Sequence, residues 1–337
     1  MSTFIIAEAG SNHNGDFAKA LSLIDTAKKA GCDAIKFQTF SASTLFSRYT
    51  PDYANYKNIY GIIKDNELPR HWQKELKKYC DEVGIEFMST PFDEKAVDEL
   101  VELGVKRLKV AGFESTDPRF INYVAKTGLP LIISLGIGTN MYFMEDILDG
   151  LSNDITLLHC NNAYPTPYED INLGSIKALV DLRDTYEDFP TYHDFKVGLS
   201  DHTPGILIPP VAVGMGATCI EKHFTLDKKL PGPDHHFAID PPELFEMVRN
   251  IRIVEKAGGI KEKLYTSSEE QFKIGTRSVI AKTNLVKGTI LTEDNITTKR
   301  PCTEHAIPAA SYYDVLGKTL NVDVREDEIL LWGMIDG

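Results

Sequence analysis

Two short stretches carry polar side chains where a packed strand has no use for them. "VGLSDHT" (197–203) and "CIEKHFT" (219–225) start apolar and finish in Ser200, Asp201 and His202, and in Glu221, Lys222 and His223. Buried polar groups are costly unless something pairs with them. If the stretches are neighbouring strands, His202 and His223 converge. Two imidazoles facing a polar opening suit a divalent metal that keeps positions for water or substrate, and the competing reading is two hydrogen-bonded histidines near the core. Residues two apart share a strand face, so Ser200 accompanies His202, and Glu221 accompanies His223 as a candidate partner behind it.

Lys36 in "AIKFQTF" and Lys109 in "RLKVAGF" end two more apolar runs. A lysine at such a tip can hold a phosphate or carboxylate or form a Schiff base, and the plainer alternative is a salt-bridged side chain. Glu8 and Glu114 are candidates for acid–base work. Asp234 lies in "PGPDHHF" (231–237), a Pro-bracketed loop where a carboxylate suits sugar hydroxyls or merely stabilises a turn. His13 and Asn14 in "SNHNG" (11–15) either face the same site or shape their loop.

The elements that must position these groups recur with a clear rhythm. Eight short apolar runs, "FIIAEAG", "AIKFQTF", "EFMSTPF", "RLKVAGF", "PLIISLG", "ITLLHCN", "KVGLSDH" and "CIEKHFT", alternate with segments of helical spacing such as 16–31, 72–84 and 93–104, which close on Gly31, Gly84 and Gly104. Strands alternating with helices predict a parallel sheet, either an open doubly wound sheet or a closed (β/α)8 TIM barrel, and the count of eight favours the barrel. Polar residues cluster at the C-terminal tips, Thr90, Ser134, Asn162 and Ser200 among them, which is the end where barrels build active sites. The predicted organisation is a barrel over 1–259, a polar connector over 260–276 and a small, mainly β domain over 277–337. The aromatic-rich insertion at 47–70 is the expected lid and specificity element.

With 36 basic against 49 acidic residues the formal charge is −13, which disfavours nucleic acid and anionic membrane surfaces as partners. The longest apolar stretch, 205–220, is interrupted by Pro209 and Pro210 and is too short for a membrane span. The five cysteines form no C-x-x-C, so buried thiols in a cytoplasmic protein are expected.

The motifs "AEAGSNHNG", "IKFQT", "STPFD", "YPTPYEDINL", "GLSDHT", "EKHFT" and "GPDHHF", followed by "KGTILTEDNITTKRP", resemble the N-acetylneuraminate (sialic acid) synthase family over almost the whole chain. That family includes pseudaminic and legionaminic acid synthases, and its members carry a C-terminal SAF (antifreeze-like) domain. The resemblance implies condensation of phosphoenolpyruvate (PEP) with an N-acetylated amino sugar, assisted by Mn2+ or Mg2+. It matches His202 and His223 to metal ligands and Lys36, Thr90, Lys109, Asn162 and Ser200 to residues that hold PEP. Glu8, Tyr164 and Asp234 match positions at the sugar or reacting centre. Arg300 matches an arginine inserted by the other subunit, which implies a domain-swapped homodimer. One position departs from the pattern: Gly112 stands where relatives usually carry a serine whose hydroxyl contacts the phosphate, so a backbone N–H or water is expected to substitute.

Overall fold

The computed structural model describes residues 2–52, 57–139, 151–186, 195–258 and 265–336. The chain divides into two compact units, 1–259 and 260–337. Within the first, eight strands appear where the apolar runs predict them: β1 (Phe4–Gly10), β2 (Ala34–Thr39), β3 (Glu86–Pro91), β4 (Leu108–Val110), β5 (Leu131–Leu135), β6 (Ile155–Cys160), β7 (Phe195–Asp201) and β8 (Cys219–His223). Their order is β3-β2-β1-β8-β7-β6-β5-β4, every pairing parallel, and β3 and β4 touch along the remaining seam. The first strand therefore pairs with the last, which rules out the open doubly wound sheet and leaves the barrel.

The barrel's interior is layered by the two-residue period of its strands. Ile6, Ala34, Met88, Ile132, Leu158 and Cys219 pack together as an apolar plug. Two residues further along those same strands stand Glu8, Lys36, Thr90, Ser134, Cys160 and Glu221, so the interior changes from apolar to largely polar within one step. The intervening residues point outward against the helices. Ile5, Ala7, Ile35, Phe37, Leu108, Val110, Leu157 and Leu199 belong to the main core, which they share with α1 (Phe17–Ala30), α4 (Trp72–Val83), α5 (Glu94–Glu102) and others. Burial on both faces is why these strands read as nearly continuous apolar runs.

The helices fold where local chemistry prescribes. Asp16 accepts from the backbone N–H groups of Ala18 and Lys19 to start α1, whose Leu23 and Ile24 are fully buried. Each such aliphatic side chain stabilises the fold by roughly 1.5–3 kcal/mol. α2 (Ala42–Leu45) and α3 (Ile59–Asp65) lie in the segment after β2, and residues 53–56 of the predicted lid fall outside the described residues. Arg70, after α3, ties this segment to the next turn through Asp93 (3.0 Å) and Glu99 (2.7 Å). α6 (Pro118–Ala125), α7 (Gly174–Tyr186) and α8 (Ile208–Gly214) follow, and α9 (Pro241–Ala257) opens on a reciprocal cap between Asp240 and Glu243. Among the described residues no helix is long and apolar enough to cross a membrane. Four cysteines are buried and Cys302 is half-buried, all as free thiols.

The second unit pairs β9 (Ser278–Ala281) antiparallel with β10 (Ile296–Lys299) around a small core that includes Val279, Leu291, Ile307 and Leu330. Residues 260–264 of the predicted connector lie outside the described residues, and Glu270–Gly275 forms a 3-10 turn.

Candidate active site

Strand register alone brings the polar tips together. Glu8 stands opposite Lys36 on one side and His223 on the other, and Ser200 stands opposite Glu221. In each of the two opening motifs the residues divide by face. Asp201 and Lys222 point away from the barrel interior and pair at 2.7 Å, with Lys222 also donating to the Thr203 carbonyl, while Ser200, His202, Glu221 and His223 point inward.

The deeper polar layer is a charge cluster centred on Glu221. Its Oε1 accepts from the Ser200 hydroxyl at 3.0 Å and lies 3.9 Å from Lys109 Nζ, and its Oε2 lies 3.6 Å from Lys36 Nζ. Burial opposes ionisation of Glu221, but the two ammonium groups and the Ser200 hydroxyl outweigh it and lower its pKa. Glu221 is thus a counter-ion to the lysine pair rather than the partner of His223 that the sequence suggested. Lys36 Nζ also sits 2.8 Å from Glu8 Oε2 and donates to Thr90 Oγ1 at 2.8 Å. Burial lowers the Lys36 pKa, yet Glu221 and Glu8 more than compensate and raise it. Lys109 donates to Ser134 Oγ (2.7 Å) and to the Val110 carbonyl (2.9 Å), and burial keeps its pKa below the ordinary lysine value.

Glu8 is disturbed toward neutrality. It accepts a hydrogen bond from Gln38 Nε2 at 2.8 Å, and burial, assisted by the Glu221 charge and opposed by Lys36, pushes its pKa up to about 7. Glu114 opens a 3-10 turn after β4, and burial raises its pKa as well.

The shallower layer holds the imidazoles. The His202 and His223 ring centroids are 5.4 Å apart, and Tyr164 lies over His202 at 4.2 Å. His202 Nδ1 lies 2.6 Å from the Asn161 carbonyl, so it carries the proton and leaves Nε2 as a free lone pair. Burial lowers the His202 pKa to about 4 and holds that of His223 well below the usual value, so both rings are neutral donors at neutral pH. Among the described residues no group of three or more His, Cys, Asp or Glu side chains is arranged to hold a metal ion. Buried His223 Nδ1 lacks a hydrogen-bond partner there, as does Glu114 Oε2, whereas Glu8 Oε2 and Glu221 Oε2 face the Lys36 ammonium. A pair of neutral imidazoles, one with its tautomer fixed and one with an orphaned nitrogen, fits an open divalent site completed by water or substrate.

Asp234 closes the layer. Its Oδ2 is 3.6 Å from His223 Nδ1 and stands so close to β1 that a Cβ on Gly10 would approach it to 3.0 Å. Gly10 has φ 50°, so glycine serves both the backbone and the close approach. Burial raises the Asp234 pKa to about 6, against the pull of Lys36. Asn162 Oδ1 accepts from the Ile137 N–H at 2.7 Å, and its amide nitrogen lies 2.9 Å from where a Cβ of Gly112 would stand. The place a side chain at Gly112 would take is therefore already filled by the Asn162 amide, with the Gly136 backbone 3.3 Å away. Arg300 belongs to the second unit, exposed just past the end of β10.

Of the residues singled out in the sequence, the barrel brings together Glu8, Lys36, Thr90, Lys109, Ser200, His202 and His223 on one interior surface, with Tyr164 and Asp234 beside the histidines and Asn162 against Tyr164. Sequence reasoning missed Gln38 as a donor to Glu8 and Glu221 as the central counter-ion. The signal for Gln38 lay in the two-residue alternation, which puts it on the face of Lys36, whereas no local pattern links Glu221 to the two lysines.

Comparison with known proteins identifies the family. The NeuB family model matches residues 23–263 and the SAF domain model residues 276–336. The N,N'-diacetyllegionaminic acid synthase of Legionella pneumophila is 39% identical, with 100% of this chain and 95% of that protein covered. The human N-acetylneuraminate-9-phosphate synthase is 36% identical over 99% of this chain and 92% of its own length. The crystal structure of a sialic acid synthetase from Leptospira borgpetersenii in complex with citrate superposes with a TM-score of 0.72 at 33% identity, covering 81% of this chain and 90% of that one. Similarity of this extent, spanning both units, means that the chain belongs to the NeuB family and ends in a SAF domain.

Proposed function

We propose that the protein joins carbon 3 of PEP to the aldehyde carbon of an open-chain N-acetylated amino sugar, forming a nonulosonic acid and releasing phosphate. The names of its relatives support this class: sialic, legionaminic and pseudaminic acid synthases. The acceptor is N-acetylmannosamine or a 2,4-diacetamido relative. The observation that carries the reading is the pair of buried ammonium groups, Lys36 and Lys109, gathered around one carboxylate directly beneath two neutral imidazoles.

Lys36 and Lys109 bind the phosphate and carboxylate of PEP, and Thr90, Ser200 and the Asn162 amide orient it. A divalent metal, Mn2+ or Mg2+, held by His202 and His223 would supply the charge that polarises the aldehyde oxygen. As the new carbon–carbon bond forms, carbon 2 of PEP becomes electron-deficient and takes a hydroxyl from water. Glu8, with Glu114 the second candidate, removes one proton of that water and passes it to the sugar oxygen, and the carbon 2–oxygen bond to phosphate then breaks as the new hydroxyl gives its proton to the departing phosphate and becomes the ketone. A pKa near 7 leaves Glu8 able to accept and return a proton at neutral pH. Asp234 and Tyr164 face the sugar. Arg300 acts from the partner subunit of a domain-swapped homodimer, its guanidinium reaching the sugar's acyl group or hydroxyls.

Phosphate release from PEP, measured against a panel of acceptor sugars, tests the reading. Release that depends on an N-acetylated amino sugar is expected, and no release with any such sugar would sink it. The depressed pKa of Lys109 favours one rival, a Schiff-base lyase. Borohydride trapping of a substrate on Lys109 or Lys36 would establish that rival instead.

A further inference from the structure

The loop that carries Asp234 is fastened to the first loop of the barrel through a histidine with no place in the chemistry above. His235 is 1% exposed, whereas His236 beside it is exposed. Both ring nitrogens of His235 are engaged: Nδ1 lies 2.7 Å from Thr225 Oγ1, and Nε2 lies 3.0 Å from Asn14 Oδ1. Asn14 Nδ2 in turn donates to the Pro231 carbonyl at 2.9 Å. The Thr225 hydroxyl has a second, longer acceptor in the Asp227 carbonyl at 3.1 Å. Asn14 Oδ1 can only accept, so Nε2 carries the proton, and burial lowers the His235 pKa, so the neutral ring accepts at Nδ1 from the Thr225 hydroxyl. Three side chains from residues 14, 225 and 235 thus form one directed chain that ends on the backbone of the loop containing Asp234.

The loop is built around this ring. Gly232 has φ 150°, and a Cβ there would stand 2.7 Å from His235 Cδ2 and 3.3 Å from Asn14 Oδ1. Only a residue without a side chain lets the loop turn over the imidazole. On the far side of Asp234, its Oδ2 fills the space that a Cβ on Gly10 would need, at 3.0 Å.

We infer that Asn14, His235 and Thr225 form a latch that holds Asp234 against Gly10 and His223, making them positioning residues for the sugar side of the mouth. This rests on the proposed contact between Asp234 and the sugar. The PEP side draws its groups from β2, β3, β4, β7 and the loop after β6 and does not pass through the latch, so the two substrates respond differently when it is cut.

The test compares wild type with Asn14→Ala, His235→Leu and His235→Gln, using initial rates and hydrogen–deuterium exchange of residues 231–237. Asn14→Ala and His235→Leu should raise the KM for the sugar about tenfold or more, since a misplacement of ~1 Å is enough for about a hundredfold loss. The KM for PEP should stay within about twofold, and exchange in 231–237 should accelerate while β1, β2 and β8 keep their protection. His235→Gln, whose amide still donates to Asn14 Oδ1, should fall nearer to wild type in both readouts. If His235→Leu does not fold, Asn14→Ala opens the same chain from a half-exposed position. An unchanged sugar KM alongside accelerated loop exchange overturns the inference, as does an equal rise in both KM values. Were wild type to turn over no sugar, the proposed function would fall, and unchanged exchange in 231–237 would then overturn the latch independently.

Discussion

Glu8 should make the barrel lose stability as pH rises, and replacing it by glutamine should remove that loss. Its pKa is pushed from 4.5 to about 7 in the folded protein, with burial the largest cause. A carboxyl whose folded pKa is raised contributes stability that is fully present below its unfolded value and disappears as pH climbs through the folded value. Between pH 5 and pH 8 that loss is on the order of 2–3 kcal/mol for this one group, from the ratio of its proton-binding terms in the two states. Glu8→Gln keeps the volume and an acceptor for Gln38, and leaves Lys36 with Thr90 and Glu221. The chain has two tryptophans, Trp72 in the barrel and Trp332 in the second unit, so a Trp332→Phe background makes fluorescence report the barrel alone. Urea unfolding followed at pH 5, 6, 7 and 8 then gives two stability profiles, and the variant's should be flatter by about 2 kcal/mol across this range. Asp234, raised from 3.8 to about 6, contributes in the same direction but equally to both proteins. Parallel profiles would refute the assignment of a raised pKa to Glu8.

Chelator treatment, or His202→Ala, should abolish phosphate release, and added Mn2+ or Mg2+ should restore it in the chelated wild type only; undiminished turnover without metal would remove the imidazoles' role. Arg300→Ala and His223→Ala chains, each inactive alone, should recover part of the activity when mixed and reassembled, and no recovery would argue against an arginine acting across subunits. Gly10→Ala adds a Cβ at φ 50° and 3.0 Å from Asp234 Oδ2, so urea unfolding should show a loss of about 1–3 kcal/mol. The same variant should raise the KM for the sugar before that for PEP.

The barrel was legible because each of its strands is buried on both faces, which turns Phe4–Gly10 or Ile155–Cys160 into a short apolar run that helices and glycines then bracket. The convergence of His202 and His223 was legible for a related reason, since both lie at the tips of consecutive strands with the same phase. Glu221 was harder. Its neighbours in sequence suggest a partner for His223, but its effective neighbours are Lys36, Lys109 and Ser200, from β2, β4 and β7. The Asn14–His235 contact joins residues 221 positions apart, and neither the loop "SNHNG" nor "PGPDHHF" contains a pattern that names the other. Charge clusters and loop clamps of this sort arise from closure of the barrel, which no local period encodes.

The apolar plug of Ile6, Ala34, Met88, Ile132, Leu158 and Cys219 gives the site a floor and hence a direction of traffic. The lysine layer lies directly above that floor, and the histidines come two residues beyond Ser200 and Glu221, about 6–7 Å further along their tilted strands. A three-carbon acid seated on the lysines would be roofed over by whatever sugar occupies the upper step. On the proposed function the acid would therefore arrive first, and the inorganic ion left at the bottom would leave after the long-chain product has lifted away, an order set by depth.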